Sequence, residues 1–469
     1  MTLYLSYNIE MKNEKPVTAC WSNTDIPVLA VSTEKGRITF YQDEAVNITE
    51  HDKIKDTTIT AIGWHPVEMI MVYGLLDGRI GVWIDEENFS KEEKNTHEGR
   101  IHTVKFNNVG NRIVSADDKG NIVVWRFEKQ IFKLCSYKQA FSIEEIIFPK
   151  FTYEKMDSGK VPNQDKLNTL FFFCNSGGML YLADDTNSSP EICRVGGKIK
   201  SLLFYERDHS IIIITSNMLL VKCTIHFNQQ LVPKKIKLSI AGNPESIKCT
   251  WAGEGLIAIV SGDDIVRFLY LETDQSYYIS MNNHQLGSSH SDDAFNTIDF
   301  NYRKRILIVG STRGKVYMWK CNLTATVIPI SAESWEPFCV VETINNITDI
   351  RWSAFMGLIY VCNKNNQLAM LSETILQKKM NNQIKVVQTS NKTLEIIFNS
   401  DSSTGLALSV GNDSSLLPAK NNSKLFEMND TIKGLDIYCD PENKDINLLL
   451  TWNGTVAYIY EISCNIYIS

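Results

Sequence analysis

Ile59–Trp64 reads ITAIGW, Met69–Leu75 reads MIMVYGL, Asp77-Gly78 follows, and Arg79–Trp83 reads RIGVW. Apolar and polar residues alternate with period two in the first of these runs, which closes on a large aromatic. A continuous apolar run, a polar turn containing glycine and another apolar run come next, a pattern of short β-strands joined by tight turns. The unit recurs on both sides. Upstream it is Val17–Trp21, Val28–Val31, a turn at Lys35-Gly36 and Arg37–Tyr41 (RITFY). Downstream it is Ile101–Phe106 (IHTVKF), Arg112–Ala116 (RIVSA), a turn at Lys119-Gly120 and Asn121–Trp125 (NIVVW). The aromatic then continues as Phe148, Phe204, Trp251, Phe300, Trp352 and Phe398, at intervals of 42 to 56 residues. The turn continues at Gly178, Asn217, Asp264, Gly314 and Asn366. Gly, Asn and Asp suit a two-residue hairpin whose central residues take positive φ.

A repeat near 45 residues made of short strands, with no sustained helical period, predicts an all-β chain built as a β-propeller. One such sheet is apolar on both faces and is stable only between two neighbours, so the units must close into a ring. Seven copies fit by Lys320, which predicts a seven-bladed first propeller over residues 1–325. A second set starts at Asn346–Trp352 (NITDIRW), continues through Leu358–Cys362 and Leu368–Leu371, and ends with Leu448–Trp452 and Thr455–Tyr460. Two or three blades fit there, giving an incomplete second β-propeller over 326–469. Its open face is expected to expose Leu448, Leu449, Leu450 and Ile459. The Ser- and Asn-rich stretch from Asn399 to Asp430 reads as loop, as do Thr152–Asp165 and Met281–Asp293.

Of the 469 residues, 43% are apolar and 22% charged, enough to bury a core and too hydrophobic for disorder. The net charge of −7 opposes capture of a phosphate backbone, so nucleic acid is not an expected partner. Met1–Lys15 lacks a basic leader and apolar h-region, and no apolar run reaches the length of a membrane span; the chain is expected to be neither secreted nor membrane-spanning. Eleven cysteines without any C-x-x-C spacing are read as reduced, mostly buried side chains.

Four groups of residues invite a chemical reading. Gly310-Ser311-Thr312-Arg313-Gly314-Lys315 resembles a phosphate loop, but it has one residue too few between its glycines, and Val316 stands where Ser or Thr must reach magnesium. The acid pairs Asp117-Asp118, Asp184-Asp185, Asp263-Asp264 and Asp292-Asp293 suit turns, where Asp bonds its own backbone. The histidines His51, His65, His97, His102, His209, His226, His284 and His290 form no ligand spacing, and His97, four residues before Ile101, suits packing. The basic runs Lys234-Lys235-Ile236-Lys237, Arg303-Lys304-Arg305 and Lys378-Lys379 are short and read as solvated hairpin tips. No catalytic, cofactor-binding or metal-binding residue is assigned, no cofactor is expected, and no small-molecule substrate is expected.

Several stretches, in their order, carry a resemblance: Met1–Glu10 (MTLYLSYNIE), Trp64-His65-Pro66 with Asp77-Gly78, Leu203–Val221, Asp264–Ile279 (DIVRFLYLETDQSYYI), Val309–Trp319 (VGSTRGKVYMW) and Thr451–Gly454. The chain resembles the diverged WD40 propellers of the large subunits of intraflagellar transport complex A. The Trp-Asp dipeptide of the wider WD40 family is missing, since Trp83, Trp125 and Trp319 precede Ile, Arg and Lys. The resemblance implies a WD40-like, non-catalytic scaffold acting in retrograde ciliary transport, in cilium assembly and in bringing membrane proteins into cilia. Its implied partners are the other complex A subunits and tubby-like cargo adaptors, with the ciliary membrane reached through them. Its implied location is the cilium and its base (axoneme and basal body), and the cytoplasm. Relatives of this kind carry two propellers followed by helical repeats. The alternatives are a WD40 scaffold of a vesicle coat or ubiquitin ligase, or a propeller hydrolase.

Overall fold

A computed structural model describes residues 2–9, 14–42, 46–51, 57–84, 89–93, 96–151, 164–225, 233–238, 243–280, 293–324, 327–365, 367–381, 383–389, 392–398, 416–417, 423–428, 432–439, 446–453 and 456–463. They form two compact units, Ser6–Leu371 and Met1–Leu5 with Ser372–Ser469. Among the described residues no helix is long and apolar enough to cross a membrane.

In the larger unit seven sheets of four antiparallel strands follow one another, over residues 16–51, 59–93, 101–138, 143–194, 199–237, 248–280 and 295–342. We number them blades one to seven. Blade three shows why the pattern folds this way: Ile101–Phe106, Arg112–Asp117, Asn121–Phe127 and Ile131–Lys138 pair in order, with Val104 opposite Ser115 and Val114 opposite Val124. Its two middle strands are buried on both faces because each face meets another blade. Its last strand alternates, burying Ile131, Cys135 and Tyr137 and exposing Phe132 and Leu134. Each join between blades is an apolar cluster. Between blades one and two, Phe40 stacks on Trp83 at 4.6 Å and meets Trp64 edge-on.

The all-β propeller class is as expected, but the ring takes in one more sheet than the repeat count gave. Ile347–Trp352, Ile359–Asn363 and Leu368–Ile375 form it, and its fourth strand is the N-terminal Thr2–Ile9, in the order Thr2–Ile9, Leu368–Ile375, Ile359–Asn363, Ile347–Trp352. On one side its first strand packs on blade seven, where Gly310 lies against Ile347. On the other, Ile9, Leu358 and Met370 share a core with Trp21 and Leu29 of blade one. The ring therefore has eight blades, and the compact unit ends at Leu371 instead of 325. Physically, the N-terminal strand pairs the outer edge of Leu368–Ile375 and gives the eighth sheet its fourth strand.

The turns between the second and third strands also differ in kind. In blade one the Thr33 amide donates to Arg37 O (2.9 Å) and the Gly36 amide to Thr33 O (3.0 Å), and blade two repeats this with Leu75, Arg79 and Gly78. These are three-residue connections with a left-handed residue at the end, not two-residue hairpins. Gly36, Gly78, Gly120, Gly178 and Gly314 hold that position with φ between 74° and 84°. In blade five Met218, not Asn217, is left-handed (φ 57°), and in blade six it is Gly262, not Asp264. Asn366 lies outside the described residues.

The smaller unit holds two sheets. One has the order Lys378–Met380, Ile384–Gln388, Thr393–Phe398, Ser423–Glu427, Leu416–Leu417; the other is Gly434–Cys439, Ile446–Trp452, Ala457–Ser463. They share a core of Ile384, Leu394, Phe426, Leu435, Leu449 and Ile462. Of the four residues expected on an open face, Ile459 is 69% exposed, Leu448 and Leu450 are half-buried, and Leu449 is buried. Two short strands, Leu416–Leu417 and Ser423–Glu427, stand in the stretch read as loop, and Gln164–Leu167 is one turn of helix at the end of another such stretch. The remainder of Thr152–Asp165, and Met281–Asp292, lie outside the described residues.

Candidate functional site

The residues that looked chemical in the sequence are mostly committed to turns. Gly310 and Ser311 end one strand of blade seven and Lys315 begins the next, with Gly310 paired to Val316; no helix follows to receive phosphate. Asp184 accepts from the amides of Thr186 (2.8 Å) and Ser188 (3.2 Å), and Asp185 pairs with Arg112 at 2.8 Å. Asp263 pairs with Arg267, and Asp293 accepts from the Thr312 hydroxyl (2.9 Å) and the Arg313 amide (3.0 Å). Asp292 lies outside the described residues. Two of the basic runs lie on edge strands, Lys234–Lys237 and Lys378–Met380, and not at hairpin tips; Lys234 pairs with Asp274, Lys379 pairs with Asp436, and Arg303 lies 4.4 Å over the Phe355 ring.

His97 is brought together with three other side chains of blade three. Its Nε2 is 2.7 Å from Ser115 Oγ and its Nδ1 is 3.3 Å from Asp117. The Trp125 indole N–H donates to the same Ser115 Oγ at 2.9 Å. The buried Asp117 carboxylate also accepts from the amides of Lys119 (2.9 Å) and Asn121 (2.8 Å), so it fixes the turn that leads to Gly120. Burial lowers the His97 pKa, against the opposing pull of Asp117. This network ties the loop before the blade to its second and third strands. Blade seven lacks it: Val309 stands where Ser115 does, and the buried Trp319 N–H has no acceptor among the described residues. His65 accepts from the Glu68 amide at Nδ1 (2.9 Å) and packs on Phe106, while His209 packs on Phe151. His226, His284, His290 and the His51 side chain lie outside the described residues.

The first strand of each blade faces the ring axis, and no sequence pattern marks the charged residues there. A cavity of about 450 Å³ is lined by Lys105, Glu145, Lys200, Lys248 and Arg351, among others. These charges bond across blade boundaries. Lys105 of blade three donates to Ile146 O of blade four (2.7 Å), Glu145 of blade four accepts from the Leu202 amide of blade five (2.8 Å), and Lys200 of blade five pairs with Glu245 at the head of blade six. Lys248 of blade six reaches past blade seven to Thr348 O of blade eight (2.7 Å). The Asp299 carboxylate of blade seven accepts from the Trp352 amide (2.8 Å), and the Trp21 indole of blade one donates to Arg351 O (3.3 Å). Burial raises the pKa of Glu145 and Asp299 and lowers that of Lys248, so groups of both signs feel a low-dielectric axis. The arrangement ties blades to one another around the axis.

A second cavity, of about 480 Å³, opens where the turns after the first strands of blades five, six and seven meet. Its wall is aromatic: Phe204, Tyr205, Trp251, Phe300 and Tyr302. Its two cations are engaged, Arg207 with Glu272 and Arg305 with Val327 O. Glu206 and Glu254, both exposed, make no hydrogen bond or ion pair with any described residue. An aromatic wall with two uncommitted carboxylates suits a basic side chain whose stem lies on the rings.

The ring is similar in fold to the C-terminal WD40 domain of Sif2 (14% identity, TM-score 0.56, covering 79% of this chain and 99% of that one). It is likewise similar to the computationally designed Ika8 protein (15% identity, TM-score 0.54, covering 77% and 98%). At these identities the likeness speaks for the fold. The family described as the IFT140 first β-propeller matches residues 2–131 and 129–374, a span that starts with the N-terminal strand and stops one residue short of the end of the eighth sheet. By that match the chain belongs to the IFT140 first β-propeller family of intraflagellar transport scaffolds.

Proposed function

We propose that the chain is a non-catalytic subunit of intraflagellar transport complex A, working by protein–protein contact in retrograde ciliary transport, in cilium assembly and in bringing membrane proteins into cilia. Its partners are the other complex A subunits and tubby-like cargo adaptors, at the ciliary base and along the axoneme. The observation that carries this reading is the extent of the family match, which covers the closed ring and not one motif within it. Rigid rings suit the task because their surface turns are already ordered, so little of the contact free energy is lost on binding. The aromatic and acidic cavity at blades five to seven supplies one contact: a basic side chain of a partner subunit seats on Trp251 and Tyr302 between Glu206 and Glu254.

The test is co-elution of the purified chain with recombinant complex A subunits on a sizing column, repeated with Glu206→Lys/Glu254→Lys. Co-elution that the double variant weakens tenfold or more supports both statements. Co-elution indifferent to the variant removes the cavity from the contact. Failure to co-elute with any complex A subunit, or capture by a vesicle-coat or ubiquitin-ligase scaffold instead, overturns the assignment.

A further inference from the structure

Blades four and five bring two cysteine sulfurs into contact. Cys193 lies on Glu191–Arg194, the outermost strand of blade four, and Cys223 on Leu219–Thr224, the third strand of blade five. Their Sγ atoms are 3.7 Å apart. Cys223 is fully buried in the core between the two blades, and Cys193 packs against that core from the edge, half-buried and within reach of small solutes. Sulfurs in van der Waals contact need to close by less than 2 Å to reach the roughly 2.05 Å of a disulfide, a shift that side-chain rotation at an edge strand can supply.

Cys193 also differs from the other cysteines. Cys20, Cys135, Cys174 and Cys249 are pushed up by burial, to about 11 for Cys20 and about 12 for Cys249, and Cys223 is raised by its hydrogen bond to Cys193 and by burial, so all five are held as thiols and Cys223 can serve only as the second, resolving partner. Cys193 is shifted the other way, chiefly because the Cys223 thiol hydrogen-bonds to it, with the Lys235 ammonium on the neighbouring strand adding to the effect. Reactive cysteines are recognised by such a combination of partial exposure, a favoured thiolate and an adjacent resolving thiol.

We infer that Cys193 and Cys223 are a peroxide-sensitive pair that forms a reversible disulfide between blades four and five. The Cys193 thiolate attacks one oxygen of hydrogen peroxide; the S–O bond forms, the O–O bond breaks, and the departing hydroxide takes up a proton as water, leaving a sulfenic acid. The Cys223 sulfur then attacks the sulfenic sulfur; the S–S bond forms, the S–O bond breaks, and hydroxide leaves with the Cys223 proton as a second water. Two thiols are oxidised by two electrons and one peroxide is reduced to two waters. A dithiol reductant reverses the step by exchange. The product fastens an edge strand, otherwise held by one ladder, to the next blade.

The test treats the full reduced chain with one to two equivalents of hydrogen peroxide and maps its peptides without reduction. The expected result is a linked pair of peptides carrying Cys193 and Cys223, a loss of two of the eleven thiols, and full return with dithiothreitol. In Cys223→Ala, dimedone should label Cys193 as sulfenic acid with no link formed; in Cys193→Ser, Cys223 should oxidise at least tenfold more slowly. Circular dichroism spectra matching the parent exclude misfolding of the variants. Both cysteines remaining reduced while others oxidise, or Cys193 linking to a different cysteine, overturns the inference.

Discussion

At Gly120 two demands meet on one residue. Its φ is 83°, and a Cβ there would lie 2.6 Å from Gln139 O and 2.7 Å from Phe141 O, both backbone atoms of the loop leading to blade four. Left-handed backbone alone costs an L residue about 1–2 kcal/mol, and the contact adds to it, so Gly120→Ala should lose about 2 kcal/mol or more in denaturant unfolding. A loss under about 0.5 kcal/mol would show that the turn relaxes. Beside it, His97 makes stability depend on pH. Burial holds its folded pKa below the ordinary 6.5, so as pH falls past that value the unfolded chain takes up a proton that the folded chain refuses. Its contribution is complete above pH 6.5 and is lost toward the folded value. His65 and His102 are lowered by burial in the same sense. Exchanging His97 for Asn should therefore flatten the acid side of the stability curve by about 1.4 kcal/mol per pH unit, one proton's worth; an unchanged slope would remove His97 from the account. The glycine turns were legible in the sequence because φ near 80° selects glycine. Met218 was not, since a left-handed methionine leaves no compositional mark. Nor were Cys193 and Cys223, whose contact depends on how two blades stack across 30 positions.

The N-terminal strand, Thr2–Ile9, is the element whose role the sequence hid. It reads as a plain alternating run with no hairpin turn to tie it to a neighbour, and its partner, Leu368–Ile375, stands at the far end of the ring. The strands Ile347–Trp352 and Ile359–Asn363 were legible as a blade, down to the closing Trp352. What the repeat could not give was the ring to which that blade belongs, since blade number is set by the angle between neighbouring sheets and not by any one sheet's sequence. Removing residues 2–9 should leave Leu368–Ile375 as an unpaired edge and take Ile9 out of the core it shares with Trp21 and Met370. The expected result is a melting temperature lower by at least 5 °C and concentration-dependent association in sedimentation, since open edges recruit other edges. A monomer with unchanged melting would show that the strand is dispensable to the closure.

At the scale of the whole molecule, the bonds around the axis are expected to make the eight-bladed ring unfold as one unit. Brief proteolysis should leave a resistant core ending near Ile375. A chain ending at Lys320 should fail to give a stable monomer, because it lacks the blade that accepts Lys248 and the backbone that accepts Trp21. A protease-resistant monomer from that shorter chain would restore the seven-bladed reading. The borrowed strand carries a further consequence for synthesis. Thr2–Ile9 is synthesised before its partner, which follows some 360 residues later, and at about 5–20 residues per second that is a wait of roughly 20 to 70 seconds. For that interval blade one has no neighbour on its open side and the first strand has no ladder. The nascent chain is thus a standing client for chaperones that shield apolar β-edges, and its yield in a cell should follow their supply more closely than its final stability.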